Sequence, residues 1–294
     1  MRRFSLLAAA AFLLASSLAL ALAGDASPLD AAMKALEEGD FAKAVKTANE
    51  VPAEDPLWVK AQYVAGEAWL AFGDPDQAAK SFRRALEKKP ESAPLLAGLG
   101  RALDAKGEHA DAESAIRAAL KVDPKDTVAR RALGECLAAQ GKAAEARKEL
   151  EAAVKADPKE PLANRALVEF FVKQGEAESA GKCAEALVQA DAKNAMGYFL
   201  RGLVLDKQKK GKEAIEAYEA ALAKDDRMLD AHKNLAILCV TDNPLYSNRE
   251  RTKKAFDHFA RYFELGGKDE ELKQTYETIK GFLQGSKGTT TPDK

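Results

Sequence analysis

Three cysteines, three histidines and few aromatic residues (7 %) are spread through 294 residues. Cys136, Cys183 and Cys239 are too few and too scattered for a disulfide framework, which ordinarily uses an even set. Burial as small hydrophobes accounts for them better, since free cysteine is among the most buried residue types. His109, His232 and His258 form no metal motif, and His232 with Cys239, seven residues on, offers only two ligands on one helix face. No phosphate-cradling glycine loop, nucleophile elbow or catalytic triad is present. The reading is therefore of a protein that is not an enzyme and needs no cofactor or metal. An excess of one charge is also lacking: 45 basic and 46 acidic residues leave −1. That balance provides no footprint for nucleic acid and no polybasic membrane patch beyond the N-terminus.

Alternating strand patterns are scarce, whereas alanine, leucine, glutamate and lysine abound. Those side chains lose little rotamer freedom in a helix, so the expected class is all-α. The N-terminus stands apart. Arg2 and Arg3 precede a wholly apolar run from Leu6 to Leu14, which continues to Ala23, and Ala21-Leu22-Ala23 supplies small residues before Gly24. This is the layout of a secretory signal, expected to be cleaved after Ala23. Its loss takes the net charge from −1 to −3. The stretch Phe4 to Ala23 is also about long enough to span a bilayer, so an uncleaved anchor is the rival reading.

A repeat of 34 residues organises the rest. Ala44, Ala78, Ala112, Ala146, Ala180 and Ala214 form one column. Gly66, Gly100, Gly134, Val168, Gly202 and Ala236 form a second; Trp69, Leu103, Leu137, Phe171, Leu205 and Cys239 form a third. Val51, Ala85, Ala119, Ala153, Leu187 and Ala221 make a fourth, and Pro56, Pro90, Pro124 and Pro158 a fifth. Small residues recur where helices must approach; large ones fill the space beside them. Gly39, Gly73, Gly107, Gly141 and Gly175 mark the turns, where glycine tolerates positive φ. One helix pair cannot bury its own face, so neighbours must stack.

This order resembles the tetratricopeptide repeat, most closely in 59–92, with Gly66, Trp69, Gly73, Ala78, Phe82, Ala85 and Pro90 in the family's places. The resemblance covers about residues 25–265 and implies a right-handed α/α superhelical solenoid at 24–284. Its repeats are 25–58, 59–92, 93–126, 127–160, 161–194, 195–228 and 229–267. The last carries a seven-residue insertion near 241–248, with the turn residues Asp242, Asn243 and Pro244 and a capping pair, Ser247 and Glu250. A capping helix is expected at 269–284, with Leu272, Tyr276, Ile279 and Leu283 on one face, and a disordered tail at 285–294.

In the resembling family the first helix of each pair lines a concave groove. Carried over, the groove column three residues before the glycine column holds Tyr63, Ala97, Arg131, Arg165, Phe199 and Lys233. One residue after it stand Glu67, Arg101, Glu135, Glu169, Leu203 and Ile237. Arg101, Arg131 and Arg165 form a candidate strip for a carboxylate-bearing partner, with Tyr63 and Phe199 as aromatic contacts. A structural role competes: Arg131–Glu135 and Arg165–Glu169 have the spacing of helical ion pairs, and Glu67, Arg101 and Glu135 can bridge between repeats. The family's carboxylate clamp is echoed only by Lys233 and Asn234. The implied function is a periplasmic or secreted scaffold that binds a protein or peptide, without nucleic acid and without a stable membrane span after cleavage. The alternative is a non-catalytic subunit of an envelope enzyme or secretion complex.

Overall fold

The computed structural model describes residues 27–241 and 248–285. The expected leader, the turn cluster with Ser247 and the tail beyond Gly285 lie outside them. Among the described residues there are fifteen helices and no strand. In chain order they are α1 (Pro28–Glu38), α2 (Phe41–Asn49), α3 (Trp58–Phe72), α4 (Pro75–Lys88) and α5 (Ala93–Ala105). Next come α6 (His109–Val122), α7 (Thr127–Ala139), α8 (Ala143–Ala156), α9 (Pro161–Lys173) and α10 (Ala177–Ala190). Last are α11 (Ala195–Lys207), α12 (Gly211–Lys224), α13 (Leu229–Val240), α14 (Asn248–Glu264) and α15 (Glu270–Gly285). The chain divides into two compact units, residues 1–167 and 168–294, with the boundary inside α9.

In the first unit, every helical hairpin turns by the same local chemistry, and three of the helices are capped alike. Asp40, Asp74 and Asp126 cap α2, α4 and α7 by accepting a backbone N–H three residues on, which satisfies an otherwise orphaned donor. Gly39, Gly73, Gly107 and Gly141 have φ between 76° and 92°, the left-handed turn that reverses the chain between paired helices. The columns then meet. Ala44, Ala78, Ala112 and Ala146 are fully buried. A Cβ built on Gly66 would lie 2.6 Å from the Phe82 ring, on Gly100 2.3 Å from Ile116, and on Gly134 2.6 Å from Leu150. Glycine is thus required where a large side chain of the second helix crosses the first. Phe82 is wedged from both sides, because a Cβ on Gly98 of the following repeat would also lie 2.5 Å from it.

The second unit keeps the device. A Cβ on Gly202 would lie 2.6 Å from Tyr218. Val168 replaces glycine in that column, and Ala184 stands where Ile116, Leu150 and Tyr218 stand in other repeats; both are buried, so volume moves from one helix to the other. Gly266 (φ 92°) ends α14, with Gly267 N–H donating to the Tyr262 carbonyl at 3.0 Å. Asp269 caps α15 through Leu272 N–H at 3.1 Å. Tyr276 on α15 stacks on Phe256 at 5.1 Å between centroids.

Lys209 occupies the turn step that is glycine in the five preceding repeats, and is the one non-glycine residue with positive φ (60°) among the described residues. Its hydrogen bonds match those at Gly107: Lys209 N–H donates to Asp206 and Lys210 N–H to Leu205, both at 2.9 Å. A left-handed residue with a Cβ costs about 1–2 kcal/mol, part of which glycine returns through its freer unfolded chain. Lys209→Gly is expected to stabilise the protein by about 1 kcal/mol. Urea melts check this, and an unchanged or lowered midpoint defeats it.

Candidate interaction surface on the first helices

On α3 and α5 the groove positions are filled from within. Glu67 is only 3 % exposed, yet it is a carboxylate. Arg101, one repeat later, reaches it with Nη1 at 2.8 and 3.2 Å to its two oxygens. Tyr63, one helical turn before Glu67, adds a hydrogen bond to the same carboxylate. Burial first, and then Glu67, push the Tyr63 phenol well above its ordinary value. Burial works against charge on Arg101, but Glu67, Tyr63 and Glu135 together more than offset it, so the guanidinium is held more firmly protonated than usual.

One repeat further, Arg131 on α7 is 8 % exposed. Its Nη1 donates to Glu135 at 2.7 Å, the pair that the four-residue spacing anticipates. Its Nε is buried and has no hydrogen-bond partner. A cleft of about 260 Å³ opens at the start of this surface, with Tyr63, Pro94 and Leu95 in its wall and Lys60, Lys88 and Lys89 around it. Lys88 itself lies over the Trp58 ring at 4.5 Å.

Arg165 is half-buried on α9. In the second unit, Phe199 is 2 % exposed and lies against Tyr218 with centroids 5.7 Å apart. Lys233 pairs with Asp269, the cap of α15, at 3.1 Å. Asn234 donates to the Tyr218 hydroxyl at 3.3 Å.

Histidine and cysteine contacts escaped the sequence reading. His232 meets His258 rather than Cys239, with Nδ1 atoms 2.9 Å apart, and its Nε2 lies 2.9 Å from the Asp226 carbonyl. A carbonyl only accepts, so neutral His232 carries its proton on Nε2, and His258 must donate from Nδ1. In the first unit, Asp104, His109 and Cys136 come together. Burial pushes the Cys136 thiol up to about 11, the wrong direction for a nucleophile.

The tetratricopeptide-repeat profiles match residues 29–93 and 98–161, and again 137–200. The chain belongs to the tetratricopeptide-repeat family. A search of curated proteins by sequence returns no match. Among solved structures, a tetratricopeptide repeat protein from Parabacteroides merdae is similar at TM-score 0.62 and 14 % identity, over 86 % of this chain and 97 % of that one. The APC/C hetero-tetramer Cut9-Hcn1 aligns at 0.57 and 18 % identity, over 95 % and 53 %. Pseudomonas aeruginosa pilF aligns at 0.51 and 18 %, over 75 % and 97 %. These likenesses are of fold: an all-α repeat that serves generally as a scaffold for protein–protein interaction. No helix among the described residues is long and apolar enough to cross a membrane.

Proposed function

We propose that this tetratricopeptide-repeat chain is an exported scaffold whose first-helix surface in the unit 1–167 takes a carboxylate-bearing segment of another protein. The observation that carries the reading is Arg131. Its guanidinium meets the half-exposed Glu135 carboxylate at 2.7 Å, and a partner's carboxylate that joined or displaced Glu135 there would gain the same charge-assisted hydrogen bond. The lysines around the cleft beside Tyr63 have the matching sign. Arg101 serves a different purpose on this surface, because the buried Glu67 occupies it. Export rests on the three-part N-terminal pattern and places the scaffold in the periplasm or outside the cell.

The test starts from the chain captured with its partner from envelope extracts, whose intact mass also reads cleavage after Ala23. Calorimetric titration then compares wild type with Arg131→Gln. Affinity is expected to fall at least about tenfold, as for interface arginines that act as hot spots. Stability should change by about 1 kcal/mol or less, because Glu135 is half-exposed and stays hydrated. Unchanged affinity would leave Arg131 with a purely structural role as the partner of Glu135 and defeat the proposed site; a chain retaining Met1 in the membrane defeats export.

A further inference from the structure

The turn between α5 and α6 brings together three side chains whose chemistry the interaction surface does not use. Asp104 lies in the last turn of α5, and His109 is the first residue of α6. Gly107, with φ 83°, reverses the chain between them. The turn is closed by Gly107 N–H donating to the Asp104 carbonyl and Glu108 N–H to the Leu103 carbonyl, each at 2.9 Å. His109 Nδ1 thereby stands 2.8 Å from Asp104 Oδ1. From the next hairpin, α7 presents Cys136, whose sulfur is fully buried and lies 3.3 Å from the His109 carbonyl. One carboxylate oxygen, one imidazole nitrogen and one thiol sulfur all fall within 4.8 Å of one another.

The repeat provides an internal comparison. One period earlier the equivalent residues are Leu70, Pro75 and Ala102, and one period later Ala138, Ala143 and Phe170. Neither set contains a ligand, so solenoid packing does not itself require these residue types here. The surroundings are also ordered. Gln140, one turn after Cys136, donates to the His109 carbonyl at 3.3 Å and to Glu113 at 3.0 Å. Glu113 is fixed by Lys142 at 2.7 Å and Arg117 at 2.8 Å. Hydrogen bonds from Lys142, Arg117 and Gln140 hold its carboxyl down at about 2. Such an outer ring restrains the helices that carry His109 and Cys136.

We propose that Asp104, His109 and Cys136 form a binding site for a thiophilic divalent cation of the zinc class. Zinc takes sulfur at about 2.3 Å and nitrogen or oxygen at about 2.0–2.2 Å. Ligand atoms around one such ion therefore lie about 3–4 Å apart, a spacing that the cluster reaches by small side-chain rotations. Thiolate and carboxylate together carry two negative charges, so a divalent ion leaves the site neutral and avoids a net buried charge. Binding removes the Cys136 proton to solvent, because a coordinated thiol is deprotonated even where burial opposes the free thiolate. Asp104 and His109 keep side-chain exposures of 26 % and 36 %, which provides the path of entry. Three protein ligands leave a fourth position for water or a donor from another molecule. Because the ligands come from two successive hairpins, the ion would also clamp α5 and α6 to α7.

The test uses Co²⁺ as the probe, added to the reduced, chelator-treated full chain. The expected result is one Co²⁺ per chain with thiolate-to-cobalt charge transfer in the near ultraviolet and tetrahedral bands in the visible, both abolished by Zn²⁺. Cys136→Ser and His109→Ala should remove the charge transfer, whereas Cys183→Ser should retain it. Zn²⁺ should raise the melting temperature of wild type and not of Cys136→Ser. Far-ultraviolet circular dichroism establishes that each variant is folded, and Asp104→Asn, the mildest change, should weaken Co²⁺ binding at least about tenfold, in the range for an altered metal environment. Absence of charge transfer in wild type, or its persistence in Cys136→Ser, overturns the site.

Discussion

Arg101→Met is expected to destabilise the protein by about 3–5 kcal/mol, because it strands the Glu67 carboxylate in the interior. The geometry sets this size. Glu67 is 3 % exposed, so water cannot replace the two hydrogen bonds that Arg101 makes, and Tyr63 supplies only one. The reverse change, Glu67→Gln, should be milder, since the Arg101 side chain retains 19 % exposure and its charge can turn toward solvent. The double variant Glu67→Leu, Arg101→Met is expected to recover most of the loss, since buried ion pairs can be replaced by apolar residues at little or no cost. A double-mutant cycle by urea denaturation isolates the coupling. If the single and double variants are equally damaged, the pair is not the source of the loss.

A fall from pH 7 to pH 4 is expected to cost the unit 168–294 up to about 3 kcal/mol through its histidine pair. Burial first, then His232 and Lys254, lower the His258 imidazole from 6.5 to about 4. Burial lowers His232 as well, against the opposing hydrogen bond to the Asp226 carbonyl. Both folded rings therefore resist protonation. Below pH 6.5 the unfolded chain takes up protons that the folded chain does not, so stability falls with pH, and the loss levels off below about 4. A proton on His232 Nδ1 would also set two N–H groups against each other across 2.9 Å. Arg261, Asp226, Glu264, Lys254 and Glu219 also act on the rings, with both signs present, and Lys254 is itself bonded to Glu219. Melting temperatures of wild type and His258→Gln across this range provide the check. Parallel curves for the two proteins would contradict the assignment.

Much of the fold was legible because a repeat shows each constraint several times. The alanine and glycine columns place close helix contacts, and the structure buries those alanines and crowds those glycines as expected. The Arg131–Glu135 pair was legible for the same reason, since four residues make one helical turn. The bridge from Glu67 to Arg101 follows from one full period. Contacts outside those two spacings were hidden. Asp104, His109 and Cys136 are joined through a turn and a neighbouring hairpin. His232 and His258 are separated by a segment with an insertion, which shifts the second residue out of register. Phe199 shows a further limit: its column belongs to the groove in the resembling family, but its size lets it fold back onto Tyr218. Column position gives the direction in which a side chain leaves the backbone, not where a long one ends.

Phe82 also bears on how such arrays can be rearranged. It requires Gly66 within its own hairpin and Gly98 in the hairpin that follows. The residue equivalent to Gly98 one period later is Ala132, which carries the Cβ that Phe82 excludes. Exchanging the hairpins of 93–126 and 127–160 would therefore place a methyl group inside an aromatic ring, although both segments match the same pattern. These repeats are not interchangeable beads: side-chain volume acts as a joint with matched faces, and it specifies which hairpin can follow which.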